Sequence, residues 1–294
     1  MQKSLWKVQE VLEGAWPFPA HDSTFNLSIR DVLVTVIIGV VLMILMRASS
    51  VLGNAYVLPL LALWLEPAVV AFPSNVVQSL VLRTPRFWHP FVVEPRLEVL
   101  RDNFHIVQSE ALAILKATPG TPFASVSVHQ ARIGSDGWKV FPFSSYGTVN
   151  EVNCARAPQT WAMLRDIPSI RLAMYSVLDG HTRIPTHCGF LKNVLRVHVT
   201  LYTDTHDTTM KRYISVGGQQ YSWKTGEIVA FDDTYPHFVE NTLPGKRVVL
   251  FLDIDRPTGF SWTSMFQTVL GEFLRRSPSI RAHAALQEKH VAIK

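Results

Sequence analysis

The chain reads as a mainly β protein: a sandwich or barrel, jelly roll included, flanked by helices and preceded by an apolar, membrane-associated helical segment. Three observations predict this. From residue 172 to 254, short alternating runs follow one another, LAMYSVL, VLRVHVTLY, RYISV, QQYSW, EIVAF and RVVLFLDI. Many short strands at close spacing fold as a sandwich or barrel. VGGQ, between two of these runs, is a hairpin turn signal. Upstream, VLVTVIIGVVLMILM (32–46) carries no charge at all.

Composition sets the outer bounds. Of 294 residues 48% are hydrophobic and only 17% charged, which points to membrane contact. The formal charge of +5 suits an anionic surface. Nucleic acid is disfavoured as a partner because no nucleic-acid-binding signature accompanies that charge. Two cysteines, Cys154 and Cys188, give neither a disulfide framework nor a CxxC zinc site.

In chain order, residues 1–66 form the expected membrane-anchoring region. The run at 32–46 is short for a span, which needs about 20 residues, and after Arg47 a second apolar run is broken by Pro59. One tilted span, a re-entrant hairpin turning at Arg47, and buried core helices all fit. Residues 67–96, punctuated by Pro67, Pro73, Pro85, Pro90 and Pro95, read as a linker. The main domain spans 97–257. It opens on an amphipathic helix in which Leu97, Leu100, Phe104, Val107, Ala111 and Ile114 recur at helical spacing. A loop-rich stretch follows to about residue 157, then a short helix with Pro158 near its start. The tail, 258–294, reads as an amphipathic helix with Trp262, Phe266, Leu270 and Phe273 on one face, followed by basic residues. That face can dock on the domain or lie in a membrane interface.

The chemistry begins in VLRVHVTL. Two residues apart on a strand, Arg196 and His198 point to the same face. Facing an interior, they cost several kcal/mol unless paired. His187 precedes this strand, and His237 lies in FDDTYPHFVEN, between two others. Two histidines brought together across a barrel make a minimal site for Fe, Zn or Cu, although in a chain with 11 histidines such a pair also arises by chance. Arg196 beside a metal would hold a carboxylate bidentately. Arg247, which opens the last strand, is a second cation of that kind, or else an ordinary strand-end residue. Together they suggest an iron enzyme with a carboxylate co-substrate.

HCG, LRVHVTL, W-x-x-G-E with FDDTYPH, and RVVLFLD occur in an order and spacing that resembles the aspartyl/asparaginyl β-hydroxylase family of Fe(II)- and 2-oxoglutarate-dependent dioxygenases. Weaker similarity in LRDNF, GWKVFPF and NCARAPQTWAML extends it over about 97–257. The resemblance implies a cupin-like double-stranded β-helix that consumes O2 and 2-oxoglutarate to hydroxylate an unactivated C–H bond. It implies His187 and His237 as iron ligands and Arg247 as the partner of the distal 2-oxoglutarate carboxylate. It places Ser176, Arg196 and His198 along the co-substrate pocket. Asp232 and Asp233 match a motif element but are read as turn and hydrogen-bonding residues without a ligand role. Cys188 is read as packing. Where most dioxygenases carry a carboxylate ligand, this chain has Gly189, as the protein-hydroxylating branch does.

The apolar N-terminal runs look instead like the branch resembling lipid A 2-hydroxylases. The expected substrate is therefore a membrane lipid acyl chain. The alternatives are Asp or Asn residues of a polypeptide, and a non-catalytic membrane-tethered binding module. A zinc hydrolase is disfavoured, since no general base like the HExxH glutamate is visible. The expected location is a membrane with the catalytic domain on the cytosolic face, where Fe(II) and 2-oxoglutarate are available and thiols stay reduced.

Overall fold

In the computed structural model, residues 85–257 are described, apart from 119, 127–133, 135, 190 and 205–210. Both apolar runs and the tail expected to be helical lie outside these residues. No described helix is long and apolar enough to cross a membrane.

Twelve described strands form two antiparallel sheets. In chain order they are β1 (Phe87–Trp88), β2 (Thr121–Pro122), β3 (Trp138–Ser145), β4 (Thr148–Val149), β5 (Ile170–Leu178) and β6 (Thr182–His187). Then come β7 (Val194–Thr203), β8 (Arg212–Val216), β9 (Gln219–Tyr221), β10 (Ile228–Phe231), β11 (His237–Asn241) and β12 (Arg247–Asp255). The larger sheet runs β1-β10-β7-β12-β5-β3-β2, with β4 on β3; the smaller runs β6-β11-β8-β9. From β5 to β12 the chain passes back and forth between the two sheets, except at the β8–β9 hairpin. That alternation is the winding of a jelly roll.

The larger sheet is buried on both faces, which is why β12 is buried at every residue but the last. One face meets the helices. Leu195, Val197, Leu250 and Leu252 pack there with Leu97, Leu100, Val107 and Leu164. These come from α2 (Glu98–Asp102), α3 (Phe104–Ala117) and α6 (Pro158–Arg165), and from the 3-10 turn Pro95–Leu97. The other face meets the smaller sheet through Val140, Met174, Phe231 and Phe251 against Ile184, Ile214 and Val239. Arg196, His198 and Arg247 belong to this second face, so the polar residues stand between the sheets.

Three expectations need correction. Residues 87–96 are part of the domain rather than a linker: Phe87 and Trp88 pair with Phe231 and Ala230, and Phe87 is buried. The prolines there sit where no amide donor is needed, Pro90 opening α1 (Pro90–Val93) and Pro95 the 3-10 turn. The helix expected from residue 97 onward is divided at Asn103, which stands between α2 and α3 with φ −108° and ψ 26°, its backbone N–H and its side chain both donating to Val99 O (3.1 and 2.9 Å). The stretch taken as loop contains the eight-residue β3, hidden by Pro142, which sits at a bulge where the ladder slips. It also holds α5 (Glu151–Arg156).

Candidate active site

His187 closes β6 and His237 opens β11, and the two are direct cross-strand partners. Their ring centroids lie 4.1 Å apart. Each imidazole is oriented in the same way. His187 Nδ1 meets Pro185 O at 2.8 Å, and His237 Nδ1 meets Tyr235 O at 2.9 Å. A carbonyl only accepts, so both Nδ1 atoms carry the proton and both Nε2 lone pairs stay available. Burial lowers the pKa of His187, and burial with His187 beside it pushes that of His237 down to about 3. Neutral rings with fixed tautomers are what a metal ligand pair requires.

Across the cavity, three polar groups on the larger sheet are all constrained to be donors. Trp138 Nε1–H donates to Ser176 Oγ (3.0 Å), leaving the serine O–H to donate onward. Trp223 Nε1–H donates to His198 Nδ1 (3.2 Å). Burial, with Arg247 and Arg196 nearby, holds His198 well below the usual imidazole range, so it is neutral and its proton sits on Nε2. That Nε2 is buried and meets no acceptor among the described residues, and the same is true of Arg247 Nε. Arg247 is 2% exposed and lies over the Trp223 ring at 4.7 Å. No described carboxylate pairs with it, and burial, then Arg212, lowers its pKa to about 9. The pocket joining the two ends is lined also by Ile184, Ile214, Phe231, Val239 and Phe251.

Arg196 lines this pocket too, but its carboxylates are the protein's own. Its Nε and Nη2 meet Asp253 at 2.9 and 3.3 Å, and Nη2 meets Asp233 at 3.0 Å. The sequence expectation that an organic acid neutralises Arg196 is therefore corrected. Of the two arginines, Arg247 is the one left open to an external anion.

Asp233 is more than a turn residue. Its backbone carbonyl accepts from Gly189 N (2.7 Å). A Cβ at Gly189 would fall 2.1 Å from Asp233 Oδ2. The carboxylate thus fills the space that a side chain at 189 would enter, which is why a glycine stands there. Burial raises its pKa to about 7. Among the described residues, no third His, Cys, Asp or Glu joins the histidine pair as a metal-binding group. Its neighbour Asp232 is fully buried between Lys192 Nζ (2.5 Å) and Arg256 Nη2 (2.7 Å). Burial pushes this carboxyl up, but Arg256 and Lys192 outweigh it and hold it below the usual range. The network ties the segment after His187 to the turn before His237. Cys188, expected to be packed, is exposed.

Trp138, Trp223, Asp233 and Asp253 all stood in quoted motifs, yet their roles appear only once the strands are in register. For Trp223 the signal was W-x-x-G-E itself; for Asp253 nothing short of the β7–β12 pairing could have named its partner.

Comparison with known proteins gives the family. The model of a family described as aspartyl/asparaginyl β-hydroxylase matches residues 101–257. An ornithine lipid ester-linked acyl 2-hydroxylase of Rhizobium tropici is 30% identical over 186 residues, covering 61% of this chain and 66% of its own. Aspartate β-hydroxylase domain-containing protein 2 of Rattus norvegicus is 29% identical, covering 55% of this chain and 48% of its own. Human aspartyl/asparaginyl β-hydroxylase is 23% identical, covering 54% of this chain and 21% of its own. The chain thus spans from about a fifth to just under two thirds of these relatives. Among solved structures, a Pseudomonas putida prolyl-4-hydroxylase aligns with a TM-score of 0.35 at 11% identity, over 55% of this chain and 99% of its own. The family model takes in just over half of the chain, including both histidines and every pocket arginine, and on that match this protein belongs to the aspartyl/asparaginyl β-hydroxylase family.

Proposed function

We propose that this protein is an Fe(II)- and 2-oxoglutarate-dependent hydroxylase acting on an unactivated C–H bond of a membrane lipid acyl chain. One observation carries the reading: a single pocket offers two imidazole lone pairs at one end and only donors at the other. His187 and His237 are the residues that would hold the iron, their Nδ1 protons already engaged by carbonyls. Arg247, His198 and Ser176 would hold the far carboxylate of a dicarboxylic acid. Bound iron supplies the activation of O2, with which 2-oxoglutarate and a substrate C–H become succinate, carbon dioxide and an alcohol. The chain's own work is to bind and orient. Arg247 contributes a charge that burial makes costly and an incoming carboxylate would neutralise. Trp138 and Trp223 keep Ser176 and His198 as donors.

For the acyl substrate, support comes from the Rhizobium tropici relative, whose name states an ester-linked acyl 2-hydroxylase. The aliphatic and aromatic pocket walls suit a hydrocarbon, and the uncharged run at 32–46 suits a membrane anchor. We place the catalytic domain on the cytosolic face. A second reading, hydroxylation of Asp or Asn side chains, is favoured by Gly189, which Asp233 prevents from bearing a carboxylate. Mass spectrometry of host lipids and peptides after expression, with His187→Ala as control, separates the two. An added oxygen on an acyl chain, absent from the variant, is the expected result. The same gain on Asp or Asn with unchanged lipids would move the protein to the peptide reading. No gain on either, while the purified protein fails to consume 2-oxoglutarate with Fe(II), would leave a non-catalytic binding module.

A further inference from the structure

The carbonyls that orient the two imidazoles are held in different ways. That of Pro185 belongs to β6, a strand paired with β11. That of Tyr235 lies in the turn 232–236 between β10 and β11, which belongs to no strand. The 2.9 Å bond from His237 Nδ1 to this carbonyl therefore depends on what fixes the turn. The Asp232 carboxylate fixes its first half, accepting from Thr234 N (3.1 Å). The Tyr235 end needs a separate hold.

Arg86, directly before β1, meets the turn at both ends. Its carbonyl accepts from Asp232 N (2.9 Å), continuing the pairing of β1 with β10 up to the turn. Its guanidinium lies 5.6 Å from the centre of the Tyr235 ring, within cation–π range. Gly217, at φ 55° in the VGGQ turn, makes room for this contact. A Cβ there would fall 2.5 Å from Arg86 Nε and 3.2 Å from Tyr235 Cδ1. Gly217 N also donates to Pro236 O (2.9 Å), and its neighbour Val216 is the cross-strand partner of His237. Arg86, Gly217 and Tyr235 thus meet beside the histidine. Lys192 Nζ approaches the same ring at 5.2 Å, but it is bonded to Asp232 and Thr234, at the start of the turn. The next residue, Phe87, packs on Phe231, whose ring lies 6.2 Å from that of His237. Both Arg86 and Phe87 precede residues 101–257, the part of the chain that the family model matches.

We propose that Arg86 is a positioning residue for the metal. It holds the Tyr235 ring, and through the Tyr235 carbonyl it keeps the His237 imidazole in the orientation and tautomer that leave Nε2 free for the ion. The segment ahead of the family-matched residues therefore contributes to the metal centre as well as to the sheet edge. This rests on the reading of His187 and His237 as iron ligands.

The test measures Mn(II) affinity of the full-length protein with 2-oxoglutarate present, from the electron paramagnetic resonance signal of the free ion. Arg86→Gln keeps the stem and the backbone carbonyl and removes the charge. It should raise the Mn(II) Kd about tenfold, the low end for a residue behind a metal ligand. Arg86→Lys, which keeps a cation for the ring, should stay within about threefold of the wild type. Tyr235→Leu keeps the carbonyl and removes the ring, and should weaken binding as Arg86→Gln does. Combining the two should weaken it no further, because each removes the same contact. Wild-type affinity in Arg86→Gln overturns the proposal. Additive effects of Arg86→Gln and Tyr235→Leu overturn it as well, since the arginine would then act elsewhere in the fold. A wild type that binds Mn(II) no more tightly than His237→Ala removes instead the reading of the histidines as metal ligands, and the assignment of Arg86 falls with it.

Discussion

Arg247 shows how one buried side chain can state a requirement. A guanidinium at 2% exposure with no described carboxylate partner is costly to hold, and removing it while retaining the shape relieves that cost. Arg247→Met is therefore expected to match or exceed the wild type in unfolding free energy by urea titration, while losing 2-oxoglutarate binding. Gly189 makes the opposite statement. Gly189→Asp, which would restore a conventional ligand set, places its Cβ against the Asp233 carboxylate. Overlap of that kind costs about 1–3 kcal/mol, and a second buried acid beside one already pushed up to about 7 adds to it. The expected outcome is a lower urea midpoint with no gain in metal affinity by calorimetry. The histidines set an acid limit. His237 is depressed to about 3, with His187 and His198 lowered in the same direction. The unfolded chain binds these protons first, so stability falls as pH drops from about 6.5 toward 3. Asp233, raised to about 7, and Asp255, raised by burial, act the other way, but they are two groups against four histidines once His89 is included, and Asp232 is lowered as well. Unfolding free energies at several pH values should decline toward acid, and more shallowly in His237→Gln.

At the level of elements, two ties hold the strands around the pocket. One is the Lys192–Asp232–Arg256 network, in which a single carboxylate meets two buried cations. Asp232→Ala removes the carboxylate that both cations share, and breaking such a network costs about 3–5 kcal/mol, to be seen as a lowered urea midpoint. The other is β1, where Phe87 packs on Phe231 and Tyr221 with ring centroids 6.2 Å apart in each case. The strand was invisible in the sequence, since two residues among prolines show no alternation. The eight-residue β3 escaped for a related reason: Pro142 argues against a strand unless a bulge is there to receive it. By contrast β7 and β12 were legible, β7 because its apolar residues alternate with Arg196 and His198, and β12 as a continuous apolar run between Arg247 and Asp253.

Over the whole molecule, local pattern gave a sandwich or barrel, the family resemblance narrowed it to a jelly roll, and the facing of Arg196 and His198 gave the polar interior. What escaped was partnership across strands. Arg196 looks from its own strand like an anion clamp, and only the pairing of β7 with β12 shows that Asp253 already occupies it. Trp138 and Trp223 are unremarkable aromatics until they are seen fixing Ser176 and His198 as donors. The resulting polarity of the pocket, lone pairs at one end and donors at the other, is the claim on which the functional reading stands. It is tested most directly by titrating 2-oxoglutarate calorimetrically into the protein with Mn(II) in place of iron, alongside Arg247→Met and His187→Ala. The account predicts metal-dependent binding to the wild type, at least about a hundredfold weaker in Arg247→Met, as for a lost charge-assisted bidentate contact, and no metal dependence in His187→Ala. Binding that survives Arg247→Met unchanged, or that needs no metal in the wild type, would contradict it.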